Sequence, residues 1–161
     1  MSALRTTVTL PFAGGDFRFH LSDEGMYALE TGGPDPGTHP AHRNIRRVDA
    51  APPMRLGEAF GRLLRGRFTV EGRDVGLPGA ADFSVVELNA IIRMALLGGG
   101  GGSRDGEVIE LGSHNVGAFM RDYVHPMTLM ERWDFCLAVL GARFEGVTGS
   151  NTDAAPASID G

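Results

Sequence analysis

The sequence contains little cysteine, little positive charge and no long apolar run, and each shortage excludes a class of protein. Cys136 is the only cysteine, so the chain cannot form an internal disulfide, which is typical of a reducing compartment. No apolar segment approaches the roughly 20 residues that a membrane-spanning helix needs. The first residues also lack the basic and then apolar pattern of a signal peptide. These absences predict a cytoplasmic protein that does not enter a membrane.

Positive charge is outweighed by negative charge, with 15 Lys and Arg against 20 Asp and Glu and a formal net charge of −5. Non-specific nucleic-acid binding depends on clustered basic side chains that displace counterions, so this balance argues against nucleic acid as a partner. Arg43, Arg46 and Arg47 do cluster, but they lie in a polar, proline-rich stretch that predicts a solvated loop.

Two neighbouring segments near the N-terminus have apolar residues at every second position: Val8, Leu10 and Phe12, then Phe17, Phe19 and Leu21. Between them, Gly14 and Gly15 can take the positive φ angles of a tight turn. The pattern predicts an antiparallel hairpin with one apolar face. Pro11 has no amide donor, so its strand is expected at the edge of the sheet.

The middle of the chain contains two short helical patterns. Ser22 can cap a helix over the sequence DEGMYALE. Apolar residues then recur in one helical stripe, formed by Leu56, Ala59, Phe60, Leu63 and Leu64. The sequence RFTVEG can add a short strand. The proline-rich and glycine-rich segments 31–53 and 71–82 predict loops, the first of them long and mobile.

Three more helical patterns follow in the second half. Ser84 and Glu87 form a capping box that begins a helix running through Leu97. Ser113 can cap another helix, and Pro126 suits the first turn of the last one.

Taken together, the patterns predict an α+β fold that is mostly α-helical, with an N-terminal β-hairpin followed by about five helices. A chain of 161 residues is most simply one domain. We expect that domain over residues 1–145, and we expect the small, polar tail 146–161 to be disordered.

Five consecutive glycines, residues 98–102, raise the question of a phosphate-binding loop. Such a loop needs a preceding strand and a GKS or GKT sequence before the next helix. Here the run follows a helix and contains no lysine. The spacing instead predicts that Gly98 ends the helix in the left-handed conformation, and that its neighbours form a flexible connector that acts as a hinge.

Catalytic and metal-binding patterns are weak throughout. His39 and His42 have a metal-compatible spacing, but no nearby cysteine or carboxylate completes a ligand set. Cys136 lies between apolar residues without a basic neighbour, which predicts a buried and unreactive thiol. We therefore expect no enzyme, no catalytic residue, no metal and no cofactor.

The helix that begins at Ser84 and the last helix have more apolar positions than one core-facing stripe needs. In the last helix we expect core positions along one seam, formed by Met130, Trp133, Leu137, Leu140 and Phe144. Phe135 and Val139 lie off that seam. The hypothesis is that Phe135, Val139, Ile91 and Met94 contact a partner protein.

Four segments, in this order, resemble a known family: LPFAGGDFRFHL, LGEAFGRLLRGRFTV, VVELNAIIRMALLGGG and VGAFMRDYVHPMTLMERWDFCLAVLGARFEG. The family is that of the small tail proteins of gene transfer agents and related siphophages, described both as tail tube proteins and as tail assembly chaperones. The resemblance covers about two-thirds of the chain, and segments 31–53 and 71–82 are longer than expected for the family.

The resemblance implies a non-enzymatic role in tail morphogenesis inside the bacterial host, with the tape-measure protein and other tail proteins as partners. A tail assembly chaperone coats the hydrophobic tape-measure protein and yields it as tube subunits polymerise. The alternative is a structural tail tube or tail terminator subunit. Because a tube subunit builds its ring from several strands, a chain with only one convincing hairpin favours the chaperone. The resemblance leaves a homo-oligomer open.

Overall fold

The computed structural model describes residues 4–42 and 50–148, and it has the α+β fold that the sequence predicts. The strands are β1 (Leu4–Arg5), β2 (Thr7–Phe12), β3 (Gly15–His20), β4 (Arg67–Val70), β5 (Arg73–Gly76), β6 (Gly101–Arg104), β7 (Glu107–Glu110) and β8 (Val147–Thr148). They form a four-stranded antiparallel sheet in the order β2-β3-β6-β7 and two antiparallel pairs, β4-β5 and β1-β8.

Five α-helices lie within the described ranges: α1 (Asp23–Thr31), α2 (Leu56–Leu64), α3 (Val85–Gly99), α4 (Val116–Phe119) and α5 (Leu129–Glu145). A π-helical segment, Met120–Val124, continues α4, and short 3₁₀ turns lie at Pro40–His42 and Pro78–Ala80. In the middle of the fold, α3 lies across β3 and packs against α5 and α1. The core forms between this helix layer and the apolar face of the four-stranded sheet.

The N-terminal hairpin is confirmed, with its turn one residue earlier than predicted. Ala13 and Gly14 have φ angles of 52° and 79°, whereas Gly15 already belongs to β3 and pairs with Phe12. Pro11 lies in β2, which is an edge strand as predicted. Because the pair Phe12 and Gly15 flanks a two-residue turn, the backbone of Pro11 points away from β3, where a missing amide removes no ladder bond.

Two of the three expected serine caps, Ser22 and Ser84, are confirmed, and the third is wrong. The Ser22 hydroxyl accepts from the Gly25 amide at 3.0 Å, and Ser84 with Glu87 forms the complete capping box. Ser113, in contrast, does not cap α4, which begins after Asn115.

The expectation that Pro126 begins the last helix is also wrong. That helix starts at Leu129, after a second capping box formed by Thr128 and Glu131. The Thr128 hydroxyl accepts from the Glu131 amide and the Glu131 carboxylate accepts from the Thr128 amide, and this reciprocal pair sets the start of the helix.

The five glycines do end a helix, but the cap is Gly100 rather than Gly98. α3 continues through Gly99, and Gly100 takes the left-handed conformation with φ 75°. The prediction of a flexible connector is wrong, because Gly101 and Gly102 belong to β6, which pairs with both β3 and β7. The last two glycines of the run are therefore built into the centre of the sheet.

Several strands were absent from the sequence prediction. The segment 71–82 contains β5 and a 3₁₀ turn, and β6 and β7 form a further hairpin. The described ranges thus contain three hairpins, β2-β3, β4-β5 and β6-β7. The expectation of a single hairpin is wrong, and a shortage of strands no longer favours a chaperone over a tube subunit.

The long segment 31–53 is partly ordered. Asp35 forms an ion pair with Arg93 of α3 at 2.7 Å, which fixes the first half of the segment to the core. The arginine cluster, Arg43, Arg46 and Arg47, lies outside the described residues. At the C-terminus, β8 pairs with β1, so the ordered part continues beyond residue 145. Residues 149–161 of the predicted tail also lie outside the described ranges.

Candidate partner-binding groove

The four residues proposed to contact a partner are placed in or against the core. Ile91, Met94 and Val139 are buried, and Phe135 is half-buried. The Phe135 ring lies 5.3 Å from the ring of Phe19, with the two planes perpendicular. These residues therefore have little open surface in this fold, and their contact with a partner stays a prediction. α3 packs against β3, α5 and α1. Most of its apolar side chains are therefore buried in the core.

The predicted seam of α5 needs a matching correction. Trp133 and Leu140 are buried as expected, but Cys136 and Val139 complete the buried face. The two ends of the predicted seam, Met130 and Phe144, are instead exposed. The exposed apolar surface of α5 therefore lies at its ends.

The C-terminal end of α5 meets α1 and the start of α2 at an open groove of about 480 Å³. The groove is lined by Asp23, Met26, Tyr27, Glu30, Leu56, Gly57 and Phe144. None of these residues stood out in the sequence as a functional candidate. The groove has the size of a site for one or two side chains of a partner.

Two aromatic side chains, Tyr27 and Phe144, line the groove. Phe144 stacks on Phe60 of α2, with ring centroids 5.2 Å apart and planes within 3° of parallel. Tyr27 is 73% exposed although it is a large aromatic residue. Aromatic side chains that stay open in a folded protein are enriched in sites that bind other proteins.

The rim of the groove is acidic. Asp23 accepts from Arg143 at 2.7 Å while its own side chain stays largely exposed. Glu30 accepts from the amide of Leu56 at 3.2 Å and so caps α2, whose preceding residue provides no side-chain cap. Both carboxylates are thus held in place by the fold, and their charge faces a groove that otherwise is apolar.

A second cleft, of about 470 Å³, lies on the other side of Tyr27. It is lined by α1 and by the residues that follow it, with Glu24 and Asp35 as its acidic members. Tyr27 therefore lines both clefts, and each cleft also contains carboxylates. This arrangement can receive an apolar side chain from a segment whose neighbouring residues are basic.

The candidates for catalysis and metal binding remain apart from the groove. The rings of His39 and His42 are 5.8 Å apart and both residues are exposed. No group of three or more metal-binding side chains is found among the residues that the structure describes.

Cys136 is buried, as predicted, with its sulfur 3.4 Å from the carbonyl oxygen of Leu88. Burial raises the pKa of the thiol, and the negative charge of Glu87 raises it further. The thiolate, which is the nucleophilic form, is therefore disfavoured at this position.

Compared with known proteins, the chain matches no protein-family model, no curated protein and no solved structure. In the described ranges, no helix has the length and apolarity needed to cross a membrane.

Proposed function

We propose that the chain is a non-enzymatic tail morphogenesis protein, and specifically a tail assembly chaperone that holds a segment of the tape-measure protein in the groove beside Tyr27. The observation that carries this proposal is the groove itself. It combines two open aromatic side chains, Tyr27 and Phe144, with carboxylates that the fold keeps at its rim.

The chemistry of the groove defines the segment that it would hold. An amphipathic helix with an apolar side chain and nearby lysine or arginine residues would bury the aromatic rings and face the carboxylates. Exposed ion pairs contribute little energy, so the apolar contact supplies most of the affinity and the charges supply orientation and rate of encounter. Binding should therefore weaken only modestly as salt increases.

The proposal is tested by co-expression of the tagged chain with the tape-measure protein, followed by co-purification. We expect Tyr27→Ala to lose the tape-measure protein while its thermal unfolding stays close to that of the wild type, because Tyr27 is 73% exposed. Val108→Ala is the matched control, because Val108 is an exposed apolar residue of β7 away from the groove. Equal recovery with all three proteins would contradict the proposal.

The second candidate is a structural tail tube or terminator subunit, and the four-stranded sheet with its additional hairpins favours it. Mass spectrometry of purified particles separates the two. A chaperone should be absent from the finished tail or present only in traces, whereas a tube subunit should be present in many copies per particle. The second result would replace the chaperone with the structural subunit.

A further inference from the structure

The hairpin of β4 and β5 is an exposed two-stranded ribbon with an apolar face. Phe68 is 43% exposed and Val70 is 50% exposed, and both lie on the same face because they are two residues apart in one strand. All four residues of β4 are exposed. A two-stranded ribbon is marginally stable in water, and it gains stability when further strands or a packing surface are added.

The register of the hairpin determines which backbone groups remain at its outer edge. The turn residues Glu71 and Gly72 have φ angles of 51° and 78°, and Val70 pairs with Arg73. At the other end, the Leu77 amide donates to the Gly66 carbonyl oxygen at 2.7 Å.

Because bonded positions alternate in an antiparallel pair, Gly66, Phe68 and Val70 direct their backbone groups toward β5. Arg67 and Thr69 therefore direct their amides and carbonyls away from β5, toward an edge with which no other described strand pairs. This outer edge of β4 is the candidate surface.

We propose that β4 pairs antiparallel with β4 of a second copy of this chain, around a two-fold axis at Thr69. In this register Thr69 lies opposite Thr69 of the other copy, and the two exchange a pair of backbone hydrogen bonds. Glu71, the turn residue that follows Val70, comes near Arg67 of the other copy, so that opposite charges approach each other on both sides of the axis. Phe68 lies opposite Val70 at the positions without backbone bonds, where side chains approach most closely.

The apolar residues of β4 thus pair with one another, and Arg67 and the turn residue Glu71 provide opposite charges, as a two-fold interface requires. The result is a sheet in the order β5-β4-β4-β5 with a continuous apolar face. A shift by one residue would put apolar and charged side chains on the same face. A shift of the axis to Phe68 would place Arg67 opposite Thr69 and would remove the approach of Arg67 to Glu71 of the other copy.

Two further observations favour β4 as the pairing edge. Arg67 is already ordered, since its guanidinium lies 5.6 Å from the centre of the Trp133 ring and 3.3 Å from Asp134. The N-terminal edge of the larger sheet carries Pro11 at an outward position, which removes a donor that a second strand would need. Thr69 occupies the corresponding outward position of β4 and keeps its donor.

The first test compares two substitutions at the axis by sedimentation velocity over a range of protein concentrations. Thr69→Pro removes the outward amide without removing a bond of the hairpin, and Thr69→Ser keeps the amide. We expect wild type and Thr69→Ser to form a dimer and Thr69→Pro to associate about tenfold or more weakly, because two hydrogen bonds are lost across the axis. A dimer of unchanged affinity in Thr69→Pro, or a wild type that is monomeric at every concentration, would overturn the proposal.

The second test uses a single new cysteine and does not require the hairpin to tolerate a proline. Opposed Cα atoms at a bonded antiparallel position are about 5.5 Å apart, which is within the range that a disulfide spans. Under mild oxidation Thr69→Cys should form a covalent dimer, while Asp74→Cys, opposite Thr69 on the outer side of β5, should not. The native Cys136 is buried and should not interfere.

Equal cross-linking of both variants, or cross-linking of Asp74→Cys alone, would overturn the proposed register. Neither result would affect the groove beside Tyr27, whose binding of the tape-measure protein is measured separately.

Discussion

Gly99 lies so close to Arg18 that a β-carbon at position 99 would overlap the Arg18 carbonyl oxygen. The Arg18 Nε also donates to the carbonyl oxygen of Gly99 at 2.9 Å. The end of α3 therefore contacts β3 backbone to backbone. A β-carbon at Gly98 would in the same way overlap the carbonyl oxygen of His20. Glycine is required here by close approach of two main chains.

The same close approach of main chains occurs within the sheet. A β-carbon at Gly101 or Gly102 would overlap the carbonyl oxygens of Ile109 and Asp16, respectively. Gly100 differs from its neighbours, since no atom lies within 4 Å of the position of its β-carbon and only its φ of 75° favours glycine. The glycine run thus joins the central helix to three strands.

Alanine substitutions should separate the requirement for close backbone approach at Gly99 from the requirement for a left-handed conformation at Gly100. We expect Gly99→Ala to lower the free energy of unfolding by about 3 kcal/mol or more, because the backbone of β3 or α3 must move. Gly100→Ala should cost only about 1–2 kcal/mol, the penalty of a left-handed conformation. Urea denaturation monitored by circular dichroism measures both. Equal costs at the two positions would show that the close approach is not needed.

The sequence predicted the parts of this fold that side-chain patterns define. The capping box of Ser84 and Glu87 and the alternation of β3 each have a local physical cause, and both are present. β6 was missed because it begins with two glycines, which have no side chains to form a pattern. Its pairing with β3 depends on close backbone contact, which becomes visible only when the strands are brought together.

The groove could not be predicted because its walls come from separate parts of the chain. Tyr27 and Phe144 are more than a hundred positions apart in the sequence, and neither belongs to a recognisable motif. The residues chosen instead, Ile91 and Met94 among them, were chosen by counting apolar positions. A helix that is covered on several sides can contain as many apolar residues as a helix that exposes a binding face.

Phe135 gives a direct test of the corrected core. Phe135→Asp should lower the free energy of unfolding by roughly 3 kcal/mol or more, because the ring packs edge-on against Phe19 and a carboxylate would replace it beside the core. Met130→Asp is the matched control on the same helix, and its exposed position predicts a change within about 0.5 kcal/mol. Thermal unfolding of both variants provides the comparison. If Phe135→Asp were as stable as the wild type, the Phe135 side chain would have to be exposed to solvent rather than packed against Phe19.

The capping box at the start of α5 predicts a pH dependence. Hydrogen bonds from the Thr128 amide, and then from its side chain, hold the pKa of the Glu131 carboxyl below its ordinary value of 4.5. A carboxyl whose pKa is lower in the folded state stabilises the fold above the unfolded pKa. This contribution is lost as the pH falls through the folded pKa.

We therefore expect the stability difference between wild type and Glu131→Gln to be largest near neutral pH and to shrink in acid below pH about 4. An NMR titration of the Glu131 carboxyl should give a pKa below that of a free glutamate. Thr128→Ala should move this pKa toward the ordinary value, because the side-chain contact is lost. An unchanged pKa in Thr128→Ala would mean that the backbone bond alone accounts for the shift.

Arg132 provides the last prediction, because it is the buried charged residue in the described part of the core. Its guanidinium donates to the carbonyl oxygen of His125 at 2.6 Å, to that of Met127 at 2.9 Å and to the Asn89 side chain at 3.1 Å. One side chain thus connects α5 to the turn before it and to α3.

Replacing Arg132 with methionine keeps much of the apolar stem but leaves these oxygen atoms without a donor, so we expect a loss of about 2–4 kcal/mol in the free energy of unfolding. Arg121→Met is the control, because Arg121 is exposed and its ion pair is with the adjacent Asp122, and its stability should stay close to that of the wild type. A double-mutant cycle with Asn89→Ala should give a coupling of about 0.5–2 kcal/mol, since the two side chains are in direct contact. Additive effects of the two substitutions, together with a small cost for Arg132→Met, would mean that water replaces the guanidinium and that the connection to α3 is not needed for the fold.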